Sequence, residues 1–244
     1  MFIQKARTIL SDNAGIRRLP HCRNGPYLDE PRLGLVPAGE SRIFARPLRR
    51  QYHSYHVGLL VDCSGSMSGK KIETAATAIH ALAWALQQAG AAVTVWGFNC
   101  VLREWKEKEI ENLKEFSKAC DQFMEETGYG NHDSYHLRTV GQLLAARSEP
   151  GQLLIVLSDG HPTCDKGTDC AYPGNKWKSR SPEAKKALST AVRQLSRRLT
   201  LLAVGIRTEA PREFYGEHRT IVLQDLAGLY GLLMAWLERH FIRG

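Results

Sequence analysis

One carboxylate and two hydroxyls occupy alternate positions in a short stretch of the 244-residue chain, at Asp62, Ser64 and Ser66. The apolar run Val57 to Val61 precedes them and is typical of a central strand of a parallel sheet. Apolar residues at helical spacing follow from Gly69. Carboxylate and hydroxyl oxygens are hard ligands, which suit Mg²⁺ or Mn²⁺ better than Zn²⁺. The pattern predicts a divalent-cation loop at the end of a buried strand.

A second apolar run also ends on a carboxylate. Gln152 to Leu157 is followed by Ser158, Asp159 and Gly160. We expect the two strands that end in Asp62 and Asp159 to lie side by side, where the strand order reverses. Ligands of open α/β sheets bind at that position, outside the carboxyl ends of the strands.

A third polar stretch, 127–138, leads into another segment of helical spacing. Asn131 or Asp133 can cap that helix and direct an oxygen toward the same centre. His132 and His136 raise the alternative of Zn²⁺, but a third nitrogen or thiolate ligand is missing and the surroundings are rich in oxygen. Which atom this stretch supplies stays open.

Strand-like and helix-like segments alternate from His56 onward. This order predicts an α/β fold, a doubly wound and mostly parallel sheet with helices on both faces. Ala92 to Phe98 and Val101 to Trp105 are so close in sequence that they should pair as an antiparallel hairpin at the sheet edge. Further strands and helices are predicted at these ranges: helices 69–88, 110–124 and 225–241, and strands 199–206 and 220–223.

Glycine and proline punctuate residues 1–55, which we predict to be an N-terminal arm packed on a main domain, 56–244. Residues 2–10 are expected to form a short helix and residues 42–44 an extended piece. The connection 161–180 is long and should overhang the metal face. Cys164 and Cys170 within it could form a metal or redox clip, or belong to an ordinary surface loop.

The formal net charge of +8 bears on the choice of partner. The basic residues occur in clumps without interleaved aromatics, so nucleic acid is less favoured, and an acidic protein partner uses such charge equally well. The apolar runs are far shorter than the roughly 20 residues of a spanning helix. Residues 2–10 also lack the continuous apolar core of a secretion signal, so we predict a cytoplasmic protein with reduced cysteines.

These loops resemble those of von Willebrand factor A domains. The run 62–67, Asp-Cys-Ser-Gly-Ser-Met, is similar to the D-x-S-x-S metal-ion-dependent adhesion site, and 158–160 to the S-D-G loop of that family. Residues 131–134 are similar to the N-x-D-G-E loop of its chelatase-type members, although the threonine that most members place in this second loop is missing. From about Arg42 to the end, the chain resembles the A domains of cobaltochelatase T subunits and of MoxR-associated proteins.

The resemblance implies a metal-dependent binding module and not an enzyme. It implies that Ser64 and Ser66 bind Mg²⁺ directly, with Asp62 and Asp159 acting largely through water, and that an aspartate or glutamate of a partner completes the shell. In chelatase-like and MoxR-like systems that partner is an AAA+ ATPase.

Two alternatives stay open. One is a Mg²⁺-dependent hydrolase of the phosphoesterase type, for which His132 and His161 are the nearby candidate bases. The other is an RNA-binding A domain that uses the basic residues, for which the candidates are Arg49, Arg50, Lys176 and Lys178.

Overall fold

The structure, a computed structural model, describes residues 3–6, 8, 18–25, 27–47, 55–160, 162 and 182–241. The proposed clip of Cys164 and Cys170 lies outside the described residues. So do the candidate base His161 and all four of the candidate RNA-binding residues.

The N-terminal segment contains a small sheet that the sequence did not predict. Its strands are β1 (Arg18–Cys22), β2 (Tyr27–Leu28) and β3 (Phe44–Pro47), in the antiparallel order β1-β3-β2. The short helix α1 (Glu30–Leu33) lies between β2 and β3. Residues 3–6 and 8 are helical, and the extended piece expected at 42–44 falls at β3 instead. The domain division at residue 55 stays a prediction.

The main sheet has the predicted doubly wound architecture. Its six strands run in the order β6-β5-β4-β7-β8-β9, and every neighbouring pair is parallel except β5 with β6. The antiparallel edge hairpin is therefore confirmed. The strands are β4 (Tyr55–Asp62), β5 (Ala92–Phe98), β6 (Leu102–Trp105), β7 (Gly151–Ser158), β8 (Thr200–Ile206) and β9 (Thr220–Leu223).

Helices connect these strands and cover the sheet. They are α2 (Lys70–Gln88), α3 (Glu107–Glu111), α4 (Leu113–Thr127), α5 (Asp133–Ala145), α6 (Pro182–Leu195), α7 (Arg212–Tyr215) and α8 (Leu229–Phe241). The single helix predicted at 110–124 is two helices. Asn112 separates them because its backbone is extended and its side chain accepts hydrogen bonds from the N–H groups of Lys114 and Glu115, which caps α4.

Both faces of the sheet are buried. On β4, Leu59 packs in the apolar cluster under α2, whereas its neighbour Leu60 packs with Trp96 and Leu144 on the opposite face. Gly58 allows α5 to approach, since a Cβ there would lie 2.7 Å from Leu144 Cδ1. The strands are therefore held firmly from both sides, and their carboxyl ends present loops in fixed positions. No helix within the described part of the chain combines the length and the apolar character needed to cross a membrane.

Candidate metal centre

The centre lies where the strand order reverses. β4 pairs with β5 on one side and with β7 on the other. From β4, the chain therefore extends the sheet first in the direction of β5 and later in the opposite direction, toward β7. The register places Val61 beside Leu157, one residue before the end of each strand. Asp62 and Asp159 are both fully buried. The predicted adjacency of these two strand ends is confirmed.

The first loop folds back on the carboxylate that precedes it. Asp62 Oδ1 accepts a hydrogen bond from the backbone N–H of Ser64 at 2.9 Å, and the hydroxyls of Ser64 and Ser66 lie 3.2 Å apart. Ser64 is buried and Ser66 is exposed. The two hydroxyls therefore extend from the interior of the site to its solvent-facing rim.

The other two loops converge on the same carboxylate. Asp62 Oδ2 accepts a hydrogen bond from Ser158 Oγ at 2.8 Å and lies 3.5 Å from Asn131 Nδ2. Asn131 is fully buried. The first and second loops are also joined through the backbone, since Gly65 N–H donates to the carbonyl of Tyr129 at 2.8 Å.

Asn99, at the end of β5, positions the second loop and was missed in the sequence. Its Nδ2 donates to Thr127 Oγ1 at 2.6 Å and to the carbonyl of Gly128 at 3.0 Å. Its own carbonyl accepts from His132 N–H at 3.1 Å. The fully buried side chain of Asn99 thus fixes the beginning of the stretch that carries Asn131, and its backbone carbonyl fixes the end.

Three buried carboxyl groups share the centre. Burial, followed by the negative charge of Asp159, raises the pKa of Asp62 to about 6. The pKa of Asp133 is raised well above its ordinary range, first by burial and then by the charge of Asp62, with a smaller contribution from Asp159. One oxygen of Asp133 and one of Asp159 are buried without a hydrogen-bond partner. The centre therefore holds buried carboxyl oxygens that its own hydrogen bonds do not satisfy.

Lys71 brings positive charge to this cluster and was also missed in the sequence. It belongs to the first turn of α2, directly after the first loop. Its ammonium donates to Asp159 Oδ2 at 2.9 Å and to the carbonyl of Ser66 at 3.1 Å. A lysine after a polar loop is usually solvated, so only the position of Lys71 directly after the first loop could have indicated its contact with the centre.

The two histidines of the second loop do not form a zinc site with any other residue that the structure describes. The ring centroids of His132 and His136 are 6.0 Å apart. Burial lowers the pKa of both, and the pKa of His136 falls to about 4. Across the described ranges, no group of three or more His, Cys, Asp and Glu side chains is arranged to hold a metal ion. A metal here would depend on hydroxyl and amide oxygens as much as on carboxylates.

The residues present fit a hard divalent cation. All six predicted ligand residues lie at the three converging loops; five are buried, and Ser66 lies at the rim: Asp62, Ser64, Ser66, Asn131, Asp133 and Asp159. Asp133 joins the cluster through charge and not through a hydrogen bond to the other loops. Unpartnered carboxylate oxygens beside two hydroxyls match the oxygen preference of Mg²⁺ and Mn²⁺.

Comparison with known proteins places the chain among von Willebrand factor A folds. Residues 44–127 and 122–241 match the family described as "Cobalamin biosynthesis protein CobT VWA domain". The von Willebrand factor domain of the type V pilus tip protein Mfa5 from Porphyromonas gingivalis is 12% identical over 78% of this chain and 97% of that one, with a TM-score of 0.53.

Two further solved structures are similar to this chain. The PilB minor pilin from Streptococcus sanguinis is 11% identical over 83% of this chain and 67% of its own, with a TM-score of 0.53. Proximal thread matrix protein 1 of the mussel byssus is 13% identical over 75% of this chain, with a TM-score of 0.49. The match spans only 47% of that protein's length.

Proposed function

Because the chain belongs to the family of CobT von Willebrand factor A domains, we propose that it is an adaptor that docks through a divalent cation onto an acidic residue of a partner protein. Domains of this type commonly mediate protein–protein interactions. Beyond this general role, we propose that docking occurs through a bound divalent cation and that the partner supplies an acidic residue.

The observation that carries the proposal is the pair of buried, unpartnered carboxyl oxygens at the three converging loops. Asp62, Asp133 and Asp159 lie within one buried cluster, and two of their oxygens are without partners. When bound there, Mg²⁺ or Mn²⁺ would offer a coordination position that an outside carboxylate oxygen can fill. The exposed hydroxyl of Ser66 marks the side of the centre that a partner can reach.

Each predicted ligand has a distinct role in this scheme. Ser64 and Ser66 supply hydroxyl oxygens, while Asp62 and Asp159 supply most of the negative charge. Asn131 holds Asp62 from the second loop, since its amide nitrogen faces Asp62 Oδ2. Asp133 adds charge from the first turn of α5.

A surface around the centre must add to the binding, because a single contact cannot supply a useful affinity after the entropy of association is lost. Two tyrosines provide aromatic surface here: Tyr129, joined to the first loop through Gly65, and Tyr135, two residues after Asp133. Their side chains are exposed by 55% and 56%. Exposed tyrosines are frequent among the residues that dominate binding energy at interfaces.

An AAA+ ATPase of the MoxR or chelatase type is the proposed partner. The family match supports it, because CobT is described as a cobalamin biosynthesis protein, in keeping with the resemblance to cobaltochelatase T subunits that the sequence suggested. This sequence contains no G-x-x-x-x-G-K-[ST] motif, so ATP hydrolysis would be the partner's. The net charge of +8 favours encounter with an acidic surface.

Binding rather than hydrolysis is the proposed activity. Of the two candidate bases of a hydrolase, His161 lies outside the described residues and His132 is 3% exposed, so the ring of His132 has little access to the water that a hydrolase would activate. The proposal is therefore of a non-enzymatic module.

Affinity purification tests this function. The tagged protein is incubated with lysate of its natural host in Mg²⁺ or in excess chelator, alongside Asp62→Ala and the matched surface variant Ser68→Ala. We expect an AAA+ ATPase to be recovered by the unsubstituted protein and by Ser68→Ala in Mg²⁺ alone. Recovery of the same proteins by Asp62→Ala, or in chelator, contradicts the proposal.

A further inference from the structure

Lys71 connects two parts of the candidate metal centre. Its ammonium lies 2.9 Å from Oδ2 of the fully buried Asp159 and 3.1 Å from the carbonyl oxygen of Ser66. It thus contacts a residue of the first loop and a carboxylate of the third. Asp159 is also a group that a cation bound at the centre would approach.

The position of Lys71 on its helix makes this contact informative. It lies in the first turn of α2, where the positive end of the helix dipole disfavours a cation. Pairing with Asp159 offsets that disadvantage. Its side chain is 34% exposed, so the ammonium has a route to solvent without any movement of the helix. A flexible four-carbon stem and a strongly hydrated head group suit such a movement.

We propose that Lys71 is an internal competitor for the cation: its ammonium neutralises Asp159 in the metal-free protein and is displaced when a divalent cation binds. This inference rests on the proposed metal-dependent function. The physical reason is charge. An ammonium and a divalent cation that share one buried carboxylate repel each other strongly, because solvent and salt screen little in the interior.

Displacement has two consequences. The affinity of the centre for metal is lower than its oxygen ligands alone would give, since each binding event must break the Lys71–Asp159 ion pair. The metal-free protein also keeps one of its buried carboxylates compensated. Lys71 therefore lowers the affinity of the centre for metal. Half-saturation of the centre requires a higher metal concentration than it would without the lysine.

Calorimetric titration with Mn²⁺ and with Mg²⁺ tests this, using the unsubstituted protein, Lys71→Met and Lys71→Arg. The control is Lys70→Met, which removes the same charge from an exposed neighbouring position. We expect Lys71→Met to bind Mn²⁺ about tenfold more tightly, a difference of about 1.4 kcal/mol. Lys70→Met and Lys71→Arg should stay close to the unsubstituted protein.

Thermal unfolding gives an independent readout. In chelator, Lys71→Met should melt at a lower temperature than Lys70→Met, because Asp159 loses its counter-charge, and added Mn²⁺ should remove the difference. If Lys71→Met does not fold, Lys71→Gln removes the same charge and retains a polar end.

Two results would overturn the inference, and they are distinguishable. In the first, the unsubstituted protein binds metal, and Lys71→Met and Lys71→Gln bind it with equal or weaker affinity. This would show that Lys71 does not compete with the metal for Asp159, and it would leave the proposed function standing. No Mn²⁺ binding by any of the proteins would overturn the proposed function and this inference together.

Discussion

Replacing Asp62 with asparagine should make the metal-free protein more stable at neutral pH while abolishing its binding of divalent cations. Burial and the charge of Asp159 raise the pKa of Asp62 from an ordinary 3.8 to about 6. A carboxyl whose pKa is higher in the folded than in the unfolded state destabilises the folded state at pH values above the folded pKa. That cost disappears as the pH falls toward the unfolded pKa.

The size of the effect follows from the two pKa values. They differ by about 2 pH units, which corresponds to a cost of about 3 kcal/mol at pH 7.5. The same relation leaves about half of that cost at pH 5.0. An asparagine keeps only one oxygen to accept the hydrogen bonds that Ser64 N–H and Ser158 Oγ now donate to separate oxygens. Loss of one bond costs roughly 1 kcal/mol. The net gain is therefore about 2 kcal/mol at pH 7.5 and well below 1 kcal/mol at pH 5.0.

Urea denaturation in excess chelator at the two pH values measures this gain. Glu111→Gln, which removes one negative charge from an exposed position, is the matched control and should change the free energy of unfolding little at either pH. The reasoning is refuted if Asp62→Asn is less stable than the unsubstituted protein at pH 7.5, or if its gain is as large at pH 5.0. The first result would mean that the hydrogen bonds to Asp62 outweigh its desolvation.

Two further substitutions separate the interface from the scaffold. Tyr129→Ala should weaken partner binding at least tenfold while Mn²⁺ binding is unchanged, because the side chain is exposed beside the centre and is not a ligand. A parallel loss of Mn²⁺ affinity in calorimetry would contradict this. Gly160→Ala should lower the free energy of unfolding by more than about 2 kcal/mol, since φ is +72° and a Cβ would lie 2.6 Å from Pro211 N. The control is Gly90→Ala, since Gly90 also has a positive φ, +91°, but has open space around it; this substitution should lower the free energy of unfolding by only about 1 kcal/mol. If urea denaturation gives equal losses for the two variants, the packing argument is ruled out.

The main fold was predictable because short-range patterns determine most of it. Apolar runs of strand length, each ending in a carboxylate, marked β4 and β7, and their adjacency followed from the rule for open α/β sheets. The closeness of β5 and β6 in sequence required a hairpin. The break at Asn112 was missed because apolar spacing continues across it, and only the cap made by its side chain ends one helix and begins the next.

The residues that complete the centre were harder to predict because their roles depend on tertiary contacts. Asn99 carries no motif, and its effect on the second loop arises from bonds to residues such as Thr127 and Gly128, which are distant in sequence. Lys71 and Asp159 are still farther apart. The sheet formed by β1, β2 and β3 has strands of two to five residues, too short for a detectable period.

Mn²⁺ titration followed by electron paramagnetic resonance tests whether the three converging loops bind a divalent cation. We expect one bound Mn²⁺ per chain, displaced by Mg²⁺, in the unsubstituted protein and in Ser68→Ala. We expect loss of that site when Ser64→Ala and Ser66→Ala are combined, with the folded state retained by circular dichroism. Undiminished binding in the double variant would contradict the metal centre described here, as would the absence of any Mn²⁺ binding by the unsubstituted chain.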